Sequence, residues 1–208
     1  MASVLQRIKT RFYYWRFDLR CIALDQILPH QTDLILNLRN WSKDLRAGSI
    51  LDSIVLASVA RCFQPTVCVE IGTGDGRSAT IVAANTPPNA MIYTLDSEFP
   101  NDPVKGSVFR GLPEAAKIQQ FGGYSTSFDF SRWYGITDFV FVDGSHEFDA
   151  VLSDSEIAFK LLKPGGIILW HDLNPRCPGV LKALQKCSRS KDVLAINQTD
   201  SAYYRAPA

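Results

Sequence analysis

Neither sign of charge dominates this chain, in which 22 lysines and arginines stand against 21 aspartates and glutamates for a formal net charge of +1. A surface with no excess of positive charge has no general hold on a phosphate backbone, so nucleic acid is not expected as a partner and a small ligand is. No apolar run approaches the length of a membrane span, and the first residues carry charge where an export signal needs an apolar stretch. Export is therefore not expected. The five cysteines, Cys21, Cys62, Cys68, Cys177 and Cys187, form no C-x-x-C pair and cannot all pair with one another, which argues against a zinc knuckle and a disulfide framework. A reducing, cytoplasmic setting is the expectation. Repeats, low-complexity tracts and interdomain linkers are also missing, and 208 residues suit one domain. The expected organisation is an N-terminal helical appendage over 1–48 and a ligand-binding catalytic core over 49–208.

The stretch from Val4 to Leu28 mixes Arg7, Lys9, Arg11, Arg16 and Arg20 with Phe12, Tyr13, Tyr14, Trp15 and Phe17, and is read as a helix. Such a segment could lie on an anionic membrane or resemble a transit peptide. The aromatics cluster too tightly for one lipid-facing side, which favours a helix that covers the core or meets a second copy in a homodimer. Ile50, Ile54, Val55, Ala57, Val59 and Phe63 are spaced for a buried helix over Ser49 to Phe63. Strands are then expected at Thr66 to Ile71, Met91 to Leu95, Lys117 to Phe121, Thr137 to Val142 and Gly166 to Trp170, with helical or loop-like stretches between most of them. That alternation predicts an α/β fold with a mostly parallel sheet and right-handed crossovers. A helix around Val180 to Cys187 precedes two closely spaced strands, Val193 to Asn197 and Ala202 to Arg205, whose short link favours an antiparallel pair at the sheet edge.

Val67-Cys68-Val69-Glu70-Ile71 runs straight into Gly72-Thr73-Gly74-Asp75-Gly76 and then into a helix from Arg77 to Ala84. Glycines let the backbone turn sharply and approach a ligand, and the helix start offers free N–H donors. A dinucleotide fingerprint G-x-G-x-x-G would need its third glycine where this chain has Arg77. Glu70 would repel a pyrophosphate but suit a ligand carrying ammonium and sulfonium charges, such as S-adenosylmethionine. Asp96 ends the next strand, with Ser97 after it, where an acid accepts hydrogen bonds from ribose hydroxyls in NAD and S-adenosylmethionine sites alike.

Val69-Glu70-Ile71-Gly72-Thr73-Gly74-Asp75-Gly76 resembles motif I of the class I methyltransferases. Leu162-Lys163-Pro164-Gly165-Gly166 is similar to their Leu-x-Pro-Gly-Gly turn before the fifth strand. The resemblance spans Ser49 to the C-terminus and implies a Rossmann-like, seven-stranded, mostly parallel sheet with helices on both faces and an antiparallel edge hairpin. It also implies that Gly123, Tyr124 and Ser125 lie near the adenine, although the family often has an acid near Tyr124.

The fourth strand ends in Asp143-Gly144-Ser145-His146-Glu147 and the fifth in Trp170-His171-Asp172, both at the ligand edge of a parallel sheet. Methyl transfer to oxygen needs a hydroxyl relieved of its proton, which a carboxylate-bound cation and a nearby imidazole can both arrange. Asp143 and Asp172 are hard oxygen ligands suited to magnesium, His171 is a third candidate ligand, and His146 is the candidate base. The pattern resembles the metal-dependent O-methyltransferases that modify sugars and other natural-product hydroxyls. Asp143 and His146 match their Asp-x-x-His; His171 stands where they usually carry an acid, which lowers the expected magnesium affinity and turns the reading toward manganese or no metal. Purely structural roles remain open: Asp143 as a helix cap, His171 on a carbonyl, Asp172 in a turn with Asn174. Trp133 and Tyr134, and Phe99 to Phe109, are candidates for an acceptor pocket or for core. A hydrolase reading carries little weight, because Gly144-Ser145-His146-Glu147 lacks the G-x-S-x-G nucleophile elbow. The expected function is S-adenosylmethionine-dependent O-methylation of a small hydroxylated acceptor. The alternatives are a catalytically inactive cofactor-binding module and, less favoured, a nicotinamide oxidoreductase.

Overall fold

The computed structural model describes residues 18–28, 33–36 and 50–208. Among these residues one sheet of eight strands runs in the order β1-β7-β8-β6-β5-β2-β3-β4. Its strands are β1 (Arg20–Ile22), β2 (Val67–Ile71), β3 (Met91–Asp96), β4 (Ile118–Gly122), β5 (Thr137–Val142), β6 (Leu162–Trp170), β7 (Leu194–Ile196) and β8 (Ala202–Arg205). The helices are α1 (Leu24–Ile27), α2 (Ile50–Phe63), α3 (Arg77–Asn85), α4 (Phe148–Leu161) and α5 (Pro178–Ser188). Every pairing is parallel except those of β8, which runs antiparallel to both β6 and β7.

The central strands are near-continuous apolar runs because both of their faces are buried. Val69, Ile71, Val140, Val142, Ile168 and Trp170 pack on one side with residues of α4 and α5. Their neighbours Cys68, Phe139, Phe141, Ile167 and Leu169 pack on the other with α2 and α3. At roughly 1.5–3 kcal/mol for each large apolar side chain fully removed from water, these two layers carry most of the drive to fold. Trp133, expected either in an acceptor pocket or in the core, belongs to the core, where it packs against Tyr93, Phe121, Phe128 and Phe130.

The expected helix from Val4 to Leu28 lies outside the described residues up to residue 17, and what is described of it is different. Arg20–Ile22 is a strand paired in parallel with Leu194–Ile196, and only Leu24–Ile27 is helical. Local basic and aromatic patterning carries no information about a partner strand some 170 residues away; pairing to the free edge of β7 overrides it. The sheet therefore has eight strands rather than seven. The β7–β8 pair is not at the edge either, since β8 lies between β7 and β6 and β1 covers β7. The expected boundary after residue 48 does not separate this strand from the core. No helix among the described residues is long and apolar enough to cross a membrane.

One polar group fastens the start of the central strands. Asp138 Oδ2 accepts from the amides of Thr66 and Val67 at 3.0 and 2.8 Å and from the Thr66 hydroxyl at 2.9 Å. Its other oxygen pairs with the Lys163 ammonium. Burial pushes the Asp138 carboxyl up, but Lys163 and these donors outweigh it and hold the group below the usual carboxylate range. Asp138→Ala should cost about 1–3 kcal/mol at neutral pH, because two amides lose their partner. A depressed carboxyl confers stability above its unfolded pKa and loses it as pH falls through the folded one. Urea melts should therefore show the wild type and the variant converging as pH drops below about 4; a constant gap would contradict this role.

Candidate active site

The chain progresses from β2 through β3 to β4 in one direction and from β5 to β6 in the other, so the sheet reverses its winding between β2 and β5. Open α/β sheets hold ligands at such a switch point, beyond the carboxyl ends of the strands. Here the ladder continues past the strand ends. The amides of Gly72, Asp143 and His171 donate to the carbonyls of Leu95, Ile71 and Val142 at 2.8, 2.8 and 3.1 Å. Three loops that are remote in sequence are thereby aligned on one open cleft of about 1040 Å³.

Gly72 is where the loops touch. It has a φ of +99°, and a β-carbon there would lie 2.1 Å from the carbonyl oxygen of Asp143. No side chain fits between the two loops. Gly74 then donates its amide to Asp96 Oδ2 at 3.0 Å, and Thr73 and Thr94 share a hydroxyl hydrogen bond of 2.7 Å. Asp96 also accepts from the Glu98 amide at 3.0 Å and faces the Lys105 ammonium at 3.5 Å. The expected cofactor residues Gly72, Thr73, Gly74, Asp96, Ser97, Gly123, Tyr124, Ser125 and Asp143 all line the cleft.

Glu70 does not line it. Its side chain is 3 % exposed and points under the loop, where it accepts from the hydroxyl of Thr94. Strand alternation puts residue 70 on the same face of β2 as Cys68, toward α2 and α3, where the acid braces the loop through Thr94 and Thr73. Its Oε1 is buried with no hydrogen-bond partner among the described residues, and burial pushes the pKa of the Glu70 carboxyl up to about 8.

At the other side of the cleft, His146 Nε2 lies 2.8 Å from Asp172 Oδ2. His171 Nδ1 lies 3.2 Å from Asp143 Oδ1 and 3.4 Å from Asp172 Oδ2. His171 Nε2 faces Asp52 Oδ2 at 3.7 Å. Burial works against a charged His171 ring, but the carboxylates of Asp143, Asp172 and Asp52 override it and raise the pKa far above that of an ordinary histidine. Burial likewise pushes Asp172 up, and the two imidazoles more than reverse it, leaving the carboxyl below its usual range. The backbone under His146 is wedged in place, because a β-carbon on Gly179 at the start of α5 would fall 2.2 Å from its carbonyl oxygen.

All four residues expected to carry chemistry, Asp143, His146, His171 and Asp172, are thus brought together. Single ligand atoms of Asp143, His171 and Asp172 lie within 4.8 Å of one another. Two carboxylates and an imidazole, with the Asp52 carboxylate behind the ring, make a donor set that fits a divalent cation. Asp52 was missed by sequence reasoning, which took α2 for an apolar core helix. The one acid within Ile50–Phe63 was the available signal. Lys105 and Asp154 also reach the cleft unanticipated, whereas Trp133 and Tyr134 do not line it.

Over residues 69–173, which take in the glycine loop, Asp96, Asp143, His146, His171 and Asp172, the sequence matches the family described as a methyltransferase domain. The chain belongs to this family. No curated protein matches it. Its fold is that of solved methyltransferases. The O-methyltransferase from Bacillus cereus in complex with SAH is 16 % identical over 77 % of this chain and 82 % of that one, with a TM-score of 0.60. The O-methyltransferase TomG from Streptomyces achromogenes, involved in tomaymycin synthesis and in complex with SAM, is 19 % identical over 95 % and 96 %, with a TM-score of 0.62. The SAH-bound methyltransferase PaMTH1 from Podospora anserina is 22 % identical over 82 % and 84 %, with a TM-score of 0.63. The Rossmann-like class I fold implied by the motifs is thereby established.

In this methyltransferase the Glu70 carboxyl holds a proton at neutral pH that the unfolded chain gives up. A raised carboxyl confers stability that is complete below its unfolded pKa and lost as pH rises through the folded value, here about 8. Between pH 5 and 9 the wild type should therefore lose more stability in urea melts than Glu70→Gln, whose amide never ionises. Parallel pH dependences would show that Glu70 does not titrate in this window.

Proposed function

We propose that this protein transfers the methyl group of S-adenosylmethionine to a hydroxyl oxygen of a small acceptor, a sugar or another natural product. The observation that carries the reading is the His146–Asp172 pair at 2.8 Å on the rim of the glycine-loop cleft. The acceptor oxygen attacks the methyl carbon, the carbon–sulfur bond breaks with its electron pair going to sulfur, and the hydroxyl proton goes to His146. Asp172 accepts from Nε2 of His146, which leaves Nδ1 as the basic atom, and the same carboxylate stabilises the imidazolium that forms.

For the cofactor, the Gly72–Gly74 backbone allows close approach of the amino-acid end. Asp96 and Ser97 suit the ribose hydroxyls, and Gly123, Tyr124 and Ser125 the adenine. Asp143, His171 and Asp172 would hold magnesium or manganese, which when bound lowers the pKa of the acceptor hydroxyl and orients it. Two of the structural relatives with bound SAM or SAH bear the name O-methyltransferase, which supports the choice of oxygen as acceptor. Cys68, Cys177 and Cys187 are free thiols, in keeping with a cytoplasmic setting.

Calorimetric titration should give micromolar binding of S-adenosylmethionine and S-adenosylhomocysteine, and no saturable binding of NADH. The reverse result would overturn the cofactor assignment. With an acceptor identified from a hydroxylated panel, His146→Ala should lower turnover by about 10²–10⁴-fold while S-adenosylhomocysteine affinity is kept. Asp96→Ala should weaken the cofactor first; equal loss of binding in both variants would contradict the division of roles between base and cofactor ligand.

A further inference from the structure

Of the three residues that converge as cation ligands, only His171 brings no negative charge when its ring nitrogen binds. The side chain behind it is Asp52, 7 % exposed and set in the first turn of the largely apolar helix α2. Burying an acid there is costly unless it is paired and hydrogen-bonded. Its Oδ1 accepts from the Asp200 amide at 3.0 Å and the Ser201 hydroxyl at 2.8 Å, which fixes the carboxylate against the loop between β7 and β8. Oδ2 faces His171 Nε2 at 3.7 Å, while Nδ1 of the same ring faces Asp143 and Asp172.

We propose that Asp52 is a positioning residue for a cation held by Asp143, His171 and Asp172, keeping the His171 proton on Nε2 so that Nδ1 is free to ligate. The inference rests on the metal-assisted reading of the proposed function. A carboxylate behind a ligating imidazole fixes its tautomer and ring orientation and raises its basicity. An imidazole in place of a carboxylate disfavours magnesium, which takes oxygen ligands, more than the first-row divalent ions, so Mn²⁺ binds more tightly here than Mg²⁺.

The test uses the full-length protein and Mn²⁺ alone, with free Mn²⁺ followed by electron paramagnetic resonance and Mg²⁺ added as competitor. Asp52→Asn keeps an oxygen for the Asp200 amide and the Ser201 hydroxyl but turns an N–H toward His171 Nε2. The proton is then driven onto Nδ1, and the ligating lone pair is lost. Mn²⁺ affinity should fall about 10–100-fold, the usual effect of removing such a partner, with S-adenosylhomocysteine affinity unchanged. In a His171→Asp background the same Asp52→Asn change should not weaken Mn²⁺ binding, and Mg²⁺ should compete better than in the wild type.

Wild-type Mn²⁺ binding that is lost in Asp143→Asn but retained in Asp52→Asn would overturn the positioning role and leave the metal site standing. Equal weakening by Asp52→Asn in both backgrounds would also overturn it, since the effect would not run through His171. If the wild type binds no Mn²⁺, the metal-assisted reading falls and this inference falls with it.

Discussion

At the switch point of the sheet the amide of Asp143 donates to the carbonyl of Ile71, and Gly72 lies where any β-carbon would be 2.1 Å from the Asp143 carbonyl oxygen. The architecture of the cleft depends on that close approach. It aligns the loop after β2, which is suited to a cofactor, with the loop after β5, which carries Asp143 and His146. The His171 amide on the Val142 carbonyl then adds the loop after β6 by the same means. Since parallel strands are all read in one direction, three loop starts fall side by side with no contact between their side chains required. The side chains then build on a backbone that the sheet has already fixed.

Electrostatics follow from that backbone. Asp52, Asp143 and Asp172 are drawn around the one ring of His171, and Asp172 also holds His146. Carboxylates so close together repel, and their burial disfavours ionisation; the imidazoles offset both effects, as the opposite displacements of the His171 and Asp172 pKa values record. Asp172 also sits at a φ of +57°, a conformation that a residue with a β-carbon adopts at some cost. A site chosen for stability alone would be apolar at this position. Concentrating charge and strain where β5 and β6 end is the arrangement expected of chemistry.

Much of this was legible in one dimension. The central strands β2, β5 and β6 were visible as short apolar runs, because a strand buried on both faces must be apolar along its length. Gly72, Gly74, Asp96, Asp143, His146, His171 and Asp172 follow strands directly, and the ends of parallel strands share an edge. Less legible was whatever depended on a distant partner or on the face that a side chain takes. Arg20–Ile22 was taken for helix, since nothing near it reports the open edge of β7. Glu70 was taken for a ligand-facing acid, yet strand alternation turns it beneath the loop.

The sequence by itself determined the class of fold, the position of the cofactor loop and the set of residues available for chemistry, because periodicity and strand-end location are properties of local chain order. Only the tertiary structure decided which face Glu70 takes, where β1 and β8 insert in the sheet, and that Asp52 stands behind His171. Asp52 and His171 are 119 positions apart, and their meeting at 3.7 Å is set by how α2 packs over the sheet and how the β7–β8 loop grips its first turn. No pattern along the chain encodes that distance.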